Sequence, residues 1–382
     1  MEYRPLEDGD REALCSILID AFGTSREMCL QWMAASPQDQ WRVLCNGQVR
    51  GGLLRIPMAQ YYGGTAVQAV GIAGVAVDDT CRGSGVGQKL MGSLLRELSE
   101  EKAPLSILYA STSSFYRRNG YERAGSRVMG SLDIRSLRNR NGPLVIGTPC
   151  VEEVERLYGN EARHQGAAVR GPYLWRRVRQ PRMQDTKCYG FYRGSSLEGY
   201  ALVKRESESF HENSFEITDL LLTSPDSVDT FLGFLAGYRA FFQTAHWPCR
   251  LNSPLFMKLD DPWQYGAELK EQWMLRLVDL KRALEDRGYP LSVKGELHLR
   301  VADGQLDSNR GDFILRVEAG RGILERGGEG RFSLDIGALA SLYTGFQSPR
   351  QLQVLGRLKS DPESLSIASE SFRGETFMLD MF

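Results

Sequence analysis

The six residues Arg82-Gly83-Ser84-Gly85-Val86-Gly87 carry the clearest chemistry in the chain. Glycines at 83, 85 and 87 let a backbone come close to a bulky anion. The N–H groups of such a turn, with a helix dipole behind them, then point at that anion. A pyrophosphate is the natural guest. A nucleotide-hydrolysing loop would need Gly-Lys-Ser/Thr, whereas Gly87 is followed by Gln88-Lys89-Leu90, with no hydroxyl for magnesium. A dinucleotide fold would need G-x-G-x-x-G and an acidic residue closing the next strand, but that strand ends at Ala110-Ser111.

The elements around this loop must place it. Val67 to Val77 runs without a charge, as a buried strand does, and after the loop Val86, Leu90, Met91, Leu94, Leu95 and Leu98 recur at helical spacing. A second apolar strand, Leu105 to Ala110, stops at Ser111-Thr112-Ser113-Ser114. That cluster can cap a short helix carrying Phe115, Tyr116, Arg117 and Arg118, which Asn119-Gly120 ends. Upstream, Asp8 and Asp10 can cap a helix burying Leu14, Ile17 and Leu18, and Asn46-Gly47 signals a hairpin.

From about residue 131 the strand–turn–helix pattern recurs, with Phe215 to Thr223, then Ser224-Pro225-Asp226-Ser227, then a helix from Val228 to Tyr238. The glycine loop does not recur. Beyond about residue 291 the alternation Leu297, Leu299, Val301 and the apolar helix Ile336 to Tyr343 predict an α+β unit. The 382 residues thus divide into 1–130, 131–290 and 291–382, two α/β units and one α+β unit, with no low-complexity linker. Lys plus Arg is 47 against 48 for Asp plus Glu, so no net field argues for nucleic acid or an anionic membrane. Seven scattered cysteines without a C-x-x-C spacing, no apolar leader and no long apolar run predict a cytoplasmic protein. His164, His211, His246 and His298 are unpaired in sequence, so no metal is expected, and none lies in the first unit.

The run Arg82-x-x-Gly85-x-Gly87 after a strand resembles the acetyl-CoA motif of the GNAT acetyltransferases. The opening Tyr3-Arg4-Pro5-Leu6 and the later Phe115-Tyr116-Arg117-Arg118-Asn119-Gly120-Tyr121 are similar to that family as well. The whole layout resembles the enhanced-intracellular-survival (Eis) type: two tandem GNAT-like domains, the second degenerate, then a sterol-carrier-protein-like domain. The resemblance implies acetyl-CoA as co-substrate and direct transfer to a primary amine, a small molecule or a lysine-like side chain, in a ternary complex. It implies that Val75, Ala76 and Val77 contact the pantetheine arm through their backbone. Arg82, Gly83, Ser84, Gly85, Val86, Gly87 and Ser111 would complete the cofactor contacts.

A phenol with a pKa near 10 can protonate a thiolate of pKa about 8.5 when hydrogen-bonded to it. The family's Ser-x-x-x-x-Tyr-x-x-x-Gly-Tyr run, matched by Ser111, Tyr116, Gly120 and Tyr121, makes Tyr116 that acid. By the same resemblance the carboxylate of the last residue, Phe382, is the base, and the assembly is a homo-hexamer. The segment Gly23-Thr24-Ser25-Arg26-Glu27 offers the acceptor only one acid, Glu27, beside Arg26, which suits a polycation poorly. Trp32, Trp41 and Gly74 are candidates to shape the acceptor cleft. A non-catalytic acyl-CoA or lipid-binding protein is the alternative, and it calls for an apolar tunnel between Leu297 and Leu358. An aminoacyl transferase of the cell-wall type would need a basic surface for transfer RNA.

Overall fold

The computed structural model describes residues 1–137, 141–204 and 214–382. Strand β1 (Glu2–Pro5) leads to helices α1 (Arg11–Phe22) and α2 (Arg26–Ala35), then β2 (Trp41–Cys45), β3 (Val49–Tyr62) and β4 (Thr65–Val77). Gly63 and Gly64 join β3 to β4 with φ of 58° and 79°. Positive φ at both central residues is what a two-residue hairpin turn matched to strand twist demands. Helix α3 (Val86–Glu100) carries the chain across to β5 (Leu105–Tyr109), which lies parallel to β4. Its inner face, Val86, Leu90, Met91, Leu94, Leu95 and Leu98, is fully buried. Short α4 (Ser113–Arg117) and long β6 (Glu122–Asp133) follow.

The next segment holds β7 (Val145–Gly147), α5 (Val151–Glu161), β8 (Ala168–Val169), α6 (Pro172–Arg179), β9 (Thr186–Arg193), β10 (Ser196–Lys204), β11 (Ser214–Leu222), α7 (Pro225–Ala236), β12 (Thr244–Cys249) and β13 (Tyr265–Leu277). Strand β13 enters between β5 and β6 and pairs with both. One sheet therefore runs β1-β2-β3-β4-β5-β13-β6-β12-β11-β10-β9-β7 through both halves, with β8 paired to β3. The remainder forms α8 (Leu280–Asp286), β14 (Gly295–Ala302), β15 (Gly311–Glu318), β16 (Arg321–Arg326), β17 (Phe332–Asp335), α9 (Ile336–Tyr343), α10 (Pro349–Val354), β18 (Leu358–Ser360) and α11 (Pro362–Ser371). Its sheet is ordered β16-β15-β14-β17-β18.

Every residue of α9 is buried. That fits its lack of polar face, because a helix apolar all round must be covered all round. Leu297, Leu299, Val301, Leu315, Phe332 and Leu339 share one core with Val67, Leu105, Ile107, Trp273 and Leu275 of the large sheet. Where a lipid carrier would have a tunnel, these side chains pack against one another.

Candidate active site

The loop from β4 to α3 passes twice through left-handed backbone, at Gly83 (φ 78°) and Gly85 (φ 85°). A Cβ at either position would meet no atom within 4 Å. Strain, about 1–2 kcal/mol per residue, is therefore what excludes other side chains, and the loop's outer side is open. Gly85 is the N-cap of α3 and supplies no side chain to it. The amides of Val86, Gly87 and Gln88 consequently have no partner within the helix and point outward with the dipole behind them. Gly87 answers a different need, since a Cβ there would stand 3.2 Å from the Phe115 ring. Arg82 is exposed at the loop entrance, paired with Asp79 at 2.6 Å. Gly85→Ala must place alanine in left-handed backbone or distort the loop. Its affinity for acetyl-CoA should fall about five- to thirtyfold by calorimetry, the equivalent of about 1–2 kcal/mol.

Below the loop the sheet comes apart. The β4–β5 ladder pairs Ala69 with Leu105 through Ile72 with Leu108 and ends there. Beyond it β4 keeps β3 as partner, Ala76 opposite Gly52 and Val77 opposite Gly51. Alternate residues of this stretch turn their N–H and C=O away from β3 and into the split. A bulge sits in the middle of it: the β3 register shifts between Gly52 and Leu54, and Gly74 opposite adopts φ 59°. One extra residue reverses the alternation of side chains. The bulge puts Val75 and Val77 on the same face as Val70 and Ile72, against α3. Glycine at 74 thus serves the bulge, and the space above it is filled, because a Cβ there would stand 2.6 Å from Trp32 Cη2.

Tyr116 lies on that α3 face with Val75, Val77, Ala110 and Phe115. Its ring packs edge-on to Phe115 and Tyr121, at 4.9 and 6.2 Å. No group among the described residues hydrogen-bonds its hydroxyl. Burial pushes the phenol up to about 12, so it holds its proton at any working pH. Ser111 is exposed just past β5.

Phe382 lies on the other face. A Cβ on Gly71 would come within 2.9 Å of its Cε2, and its ring sits 5.7 Å from that of Tyr109, edge-on. Gly71 and Ile72 are neighbours on one strand and point to opposite faces. Tyr116 and Phe382 therefore approach the end of the β4–β5 ladder from opposite sides of the sheet. Phe382 packs against the same core as Trp32, Ala73 and Tyr173, and Trp32 Nε1 donates to the Tyr173 hydroxyl at 3.1 Å. Trp41, the other candidate for this wall, is wholly buried and belongs to the core. Glu27 is exposed. Tyr109 and Tyr173 carry no motif and are visible only once the sheet is assembled.

The second α/β unit repeats the topology without the anion site, for reasons legible at the start of α7. Pro225 at its first turn has no N–H to offer. The Ser224 hydroxyl accepts from the Ser227 amide at 3.1 Å, and Asp226 adds a negative charge, paired with Arg193. His164 stacks on Phe377 at 3.8 Å, where burial pushes its imidazole down to about 4. His211 lies outside the described residues. An unfolded histidine takes its proton near pH 6.5 while folded His164 stays neutral down to about 4, so stability should decline as pH falls through that window. Melting curves of His164→Phe, which keeps a ring in the stack, should show a shallower decline. Among the described residues no group of three His, Cys, Asp or Glu is placed to hold a metal, and no helix is long and apolar enough to cross a membrane.

Residues 2–124 and 166–277 match models of an acetyltransferase (GNAT) domain, and residues 280–379 match a sterol carrier protein domain. The chain is similar over its full length to the crystal structure of a GCN5-related N-acetyltransferase from Anabaena variabilis. That likeness has 32% identity and a TM-score of 0.93, and covers 100% of both chains. It is 28% identical over 357 residues to an uncharacterized N-acetyltransferase of Streptomyces avermitilis, covering 84% of this chain and 82% of that one. In fold it also follows Eis1 from Mycobacterium abscessus, with 20% identity, a TM-score of 0.80 and 100% of both chains covered.

Proposed function

The chain belongs to the GCN5-related N-acetyltransferases and is an enzyme of that type, and on that premise we propose that it moves acetyl directly to a primary amine in a ternary complex. The observation that carries this reading is the split beside Ile72. Tyr116 reaches it from the face that carries the glycine loop, and Phe382 reaches it from the opposite face. Donor and acceptor can then enter from opposite sides and meet in the gap, which supplies the orientation that transfer without a covalent enzyme intermediate needs.

The open left-handed loop, the uncapped amides of Val86, Gly87 and Gln88 and the free β4 edge at Val75 to Val77 fit a coenzyme A pyrophosphate and pantetheine. Arg82, Gly83, Ser84, Gly85 and Ser111 complete that set. Acetyl-CoA, when bound, supplies the activated acetyl thioester. Tyr116 keeps its proton until the sulfur needs it and donates it there. The Phe382 carboxylate, directly or through one water, takes a proton from the amine nitrogen. The aromatic wall of Trp32, Tyr173 and Phe382, with Glu27 left in solvent, favours a small or lysine-like amine over a polycation. A cytoplasmic homo-hexamer, with unit boundaries near residues 131 and 291, completes the proposal.

The experiment is thiol release from acetyl-CoA across a panel of amines. Turnover with a monoamine, lost in Tyr116→Phe, supports the assignment; turnover unchanged both in that variant and on deletion of Phe382 would sink it. A lipid-binding role would instead show as bound lipid in a native mass spectrum, and the filled core around Leu299 and Leu339 argues against it.

A further inference from the structure

The last seven residues, Thr376 to Phe382, contain one ionisable side chain, Asp380, and it is pulled inward rather than left in solvent. Its carboxylate accepts from Arg170 Nε at 2.7 Å, and the Tyr158 hydroxyl lies 3.4 Å away. The same guanidinium turns its other two nitrogens to Asp219, at 2.6 and 3.0 Å, and Asp219 also accepts from the Tyr200 hydroxyl at 2.8 Å. The side chains of Arg170, Asp219 and Asp380 are only 1%, 2% and 2% exposed. Arg170 is itself fixed. It follows β8, which pairs with β3 of the first half, and its guanidinium lies 3.8 Å over the Tyr158 ring.

We infer that Arg170 is a positioning residue for the acetyl transfer: by gripping Asp380 it fixes where Phe382 stands, and this is what the second α/β unit contributes to catalysis in the first. Stability alone does not account for the arrangement. Two carboxylates share one guanidinium in the interior, burial raises the Asp380 carboxyl above its ordinary value, and a buried ionic set is weak evidence of stabilisation because desolvation offsets much of the attraction. Conformational specificity is the better-attested return on such a set, and here the specified object is the tail. Two residues of chain reach at most about 7 Å, so an anchor at 380 leaves Phe382 a small range. The remaining tethers near it are carbonyls, Asp380 O on the Tyr109 hydroxyl and Leu379 O on Arg127 Nε. Upstream, Thr376, Phe377 and Met378 are held through their side chains at Thr344, His164 and Gln60, but any residue could supply the two carbonyls, so Asp380 is the side-chain anchor that stands between those contacts and Phe382.

The inference rests on Phe382 acting in the reaction, and the test separates the two. Asp380→Ala leaves Arg170 and Asp219 as a neutral bidentate pair, so the chain should fold, with a melting temperature within a few degrees of the parent. Its kcat should drop by about tenfold or more, since a misplacement of about 1 Å can cost up to a hundredfold. KM for acetyl-CoA should stay within about twofold, because the cofactor loop is untouched. Asp380→Asn, which can still accept from Arg170, should recover part of the loss. The decisive measurement is a double-mutant cycle with deletion of Phe382. If Asp380 acts through Phe382, Asp380→Ala has no further effect in the deleted chain. Losses that multiply would mean a general structural role and overturn the inference. An unchanged kcat in Asp380→Ala alongside a disabling Phe382 deletion overturns the anchor alone. An unaffected Phe382 deletion overturns the catalytic reading beneath it.

Discussion

Tyr116→Phe should lower kcat roughly a hundredfold, within the range by which a positioned general acid accelerates a reaction, while leaving the protein as stable as before or slightly more so. The substitution removes one oxygen. The ring stays against Phe115 and Tyr121, and the lost hydroxyl has no hydrogen-bond partner among the described residues, so its removal strands no buried group. Deleting an unpaired hydroxyl from a nearly buried site removes a desolvation cost, and the thermal midpoint should hold or rise. A hundredfold loss is about 2.7 kcal/mol of transition-state stabilisation. It should fall on kcat, with acetyl-CoA affinity by calorimetry unchanged. The pH profile adds a second check: with the phenol up at about 12, no fall from its deprotonation should occur below about pH 11. Parent-like kcat in Tyr116→Phe would remove the acid from this position.

What the sequence alone makes legible is local. The loop from Arg82 to Gly87, the strand before it and the amphipathic helix after it are written in consecutive residues, and the positive φ of Gly83 and Gly85 is the physical reason those glycines are there. Ile336 to Tyr343 is the helix its composition predicts, and Tyr116 follows β5, the strand parallel to the one that leads into the glycine loop. Gly74 shows where such reading stops. Its glycine signals freedom to turn, but that the turn is a bulge reversing the faces of Val75 and Val77 depends on the register against β3. The exchange of β13 between β5 and β6 and the meeting of Arg170 with Asp380, 210 positions apart, involve residues that no periodicity links. Long-range pairing of that kind is set by the assembled sheet.

The degenerate unit has a physical reason to persist. Pro225, Asp226 and the Ser224 cap close its own anion site; its parallel β11–β12 ladder ends at Glu216 opposite His246, and the cavity beyond is lined by Phe377 of the tail with His164 and Arg250. On the proposed reading, a unit without the glycine loop holds the chain segment that would complete its neighbour's site. Pressure on its residues would then fall on the channel of the tail, at Tyr158, Arg170, Tyr200 and Asp219, rather than on the start of α7.

Deleting Phe382 should be as damaging as losing Tyr116, and the comparison with Phe382→Ala tells why. In untagged protein whose intact mass places Phe382 last, deletion shifts the terminal carboxylate back by one residue, up to about 3.5 Å. It also removes the ring that packs on Tyr109 and over Gly71. Phe382→Ala removes the ring and leaves the carboxylate on the same backbone, still anchored two residues upstream at Asp380. If the carboxylate is the base, deletion should reduce kcat roughly a hundredfold, and Phe382→Ala should lose much less. In the deleted chain the amine loses its proton only to solvent, so the rate should keep climbing with pH toward the amine's own pKa, near 10 for a lysine-like acceptor. The parent should level off well below that. Added formate, a small carboxylate able to enter the space left behind, should restore part of the rate to the deleted chain and none to Tyr116→Phe. Equal losses in deletion and Phe382→Ala, with no change in pH profile, would assign Phe382 to packing around the acceptor and require the base to be sought elsewhere on that face.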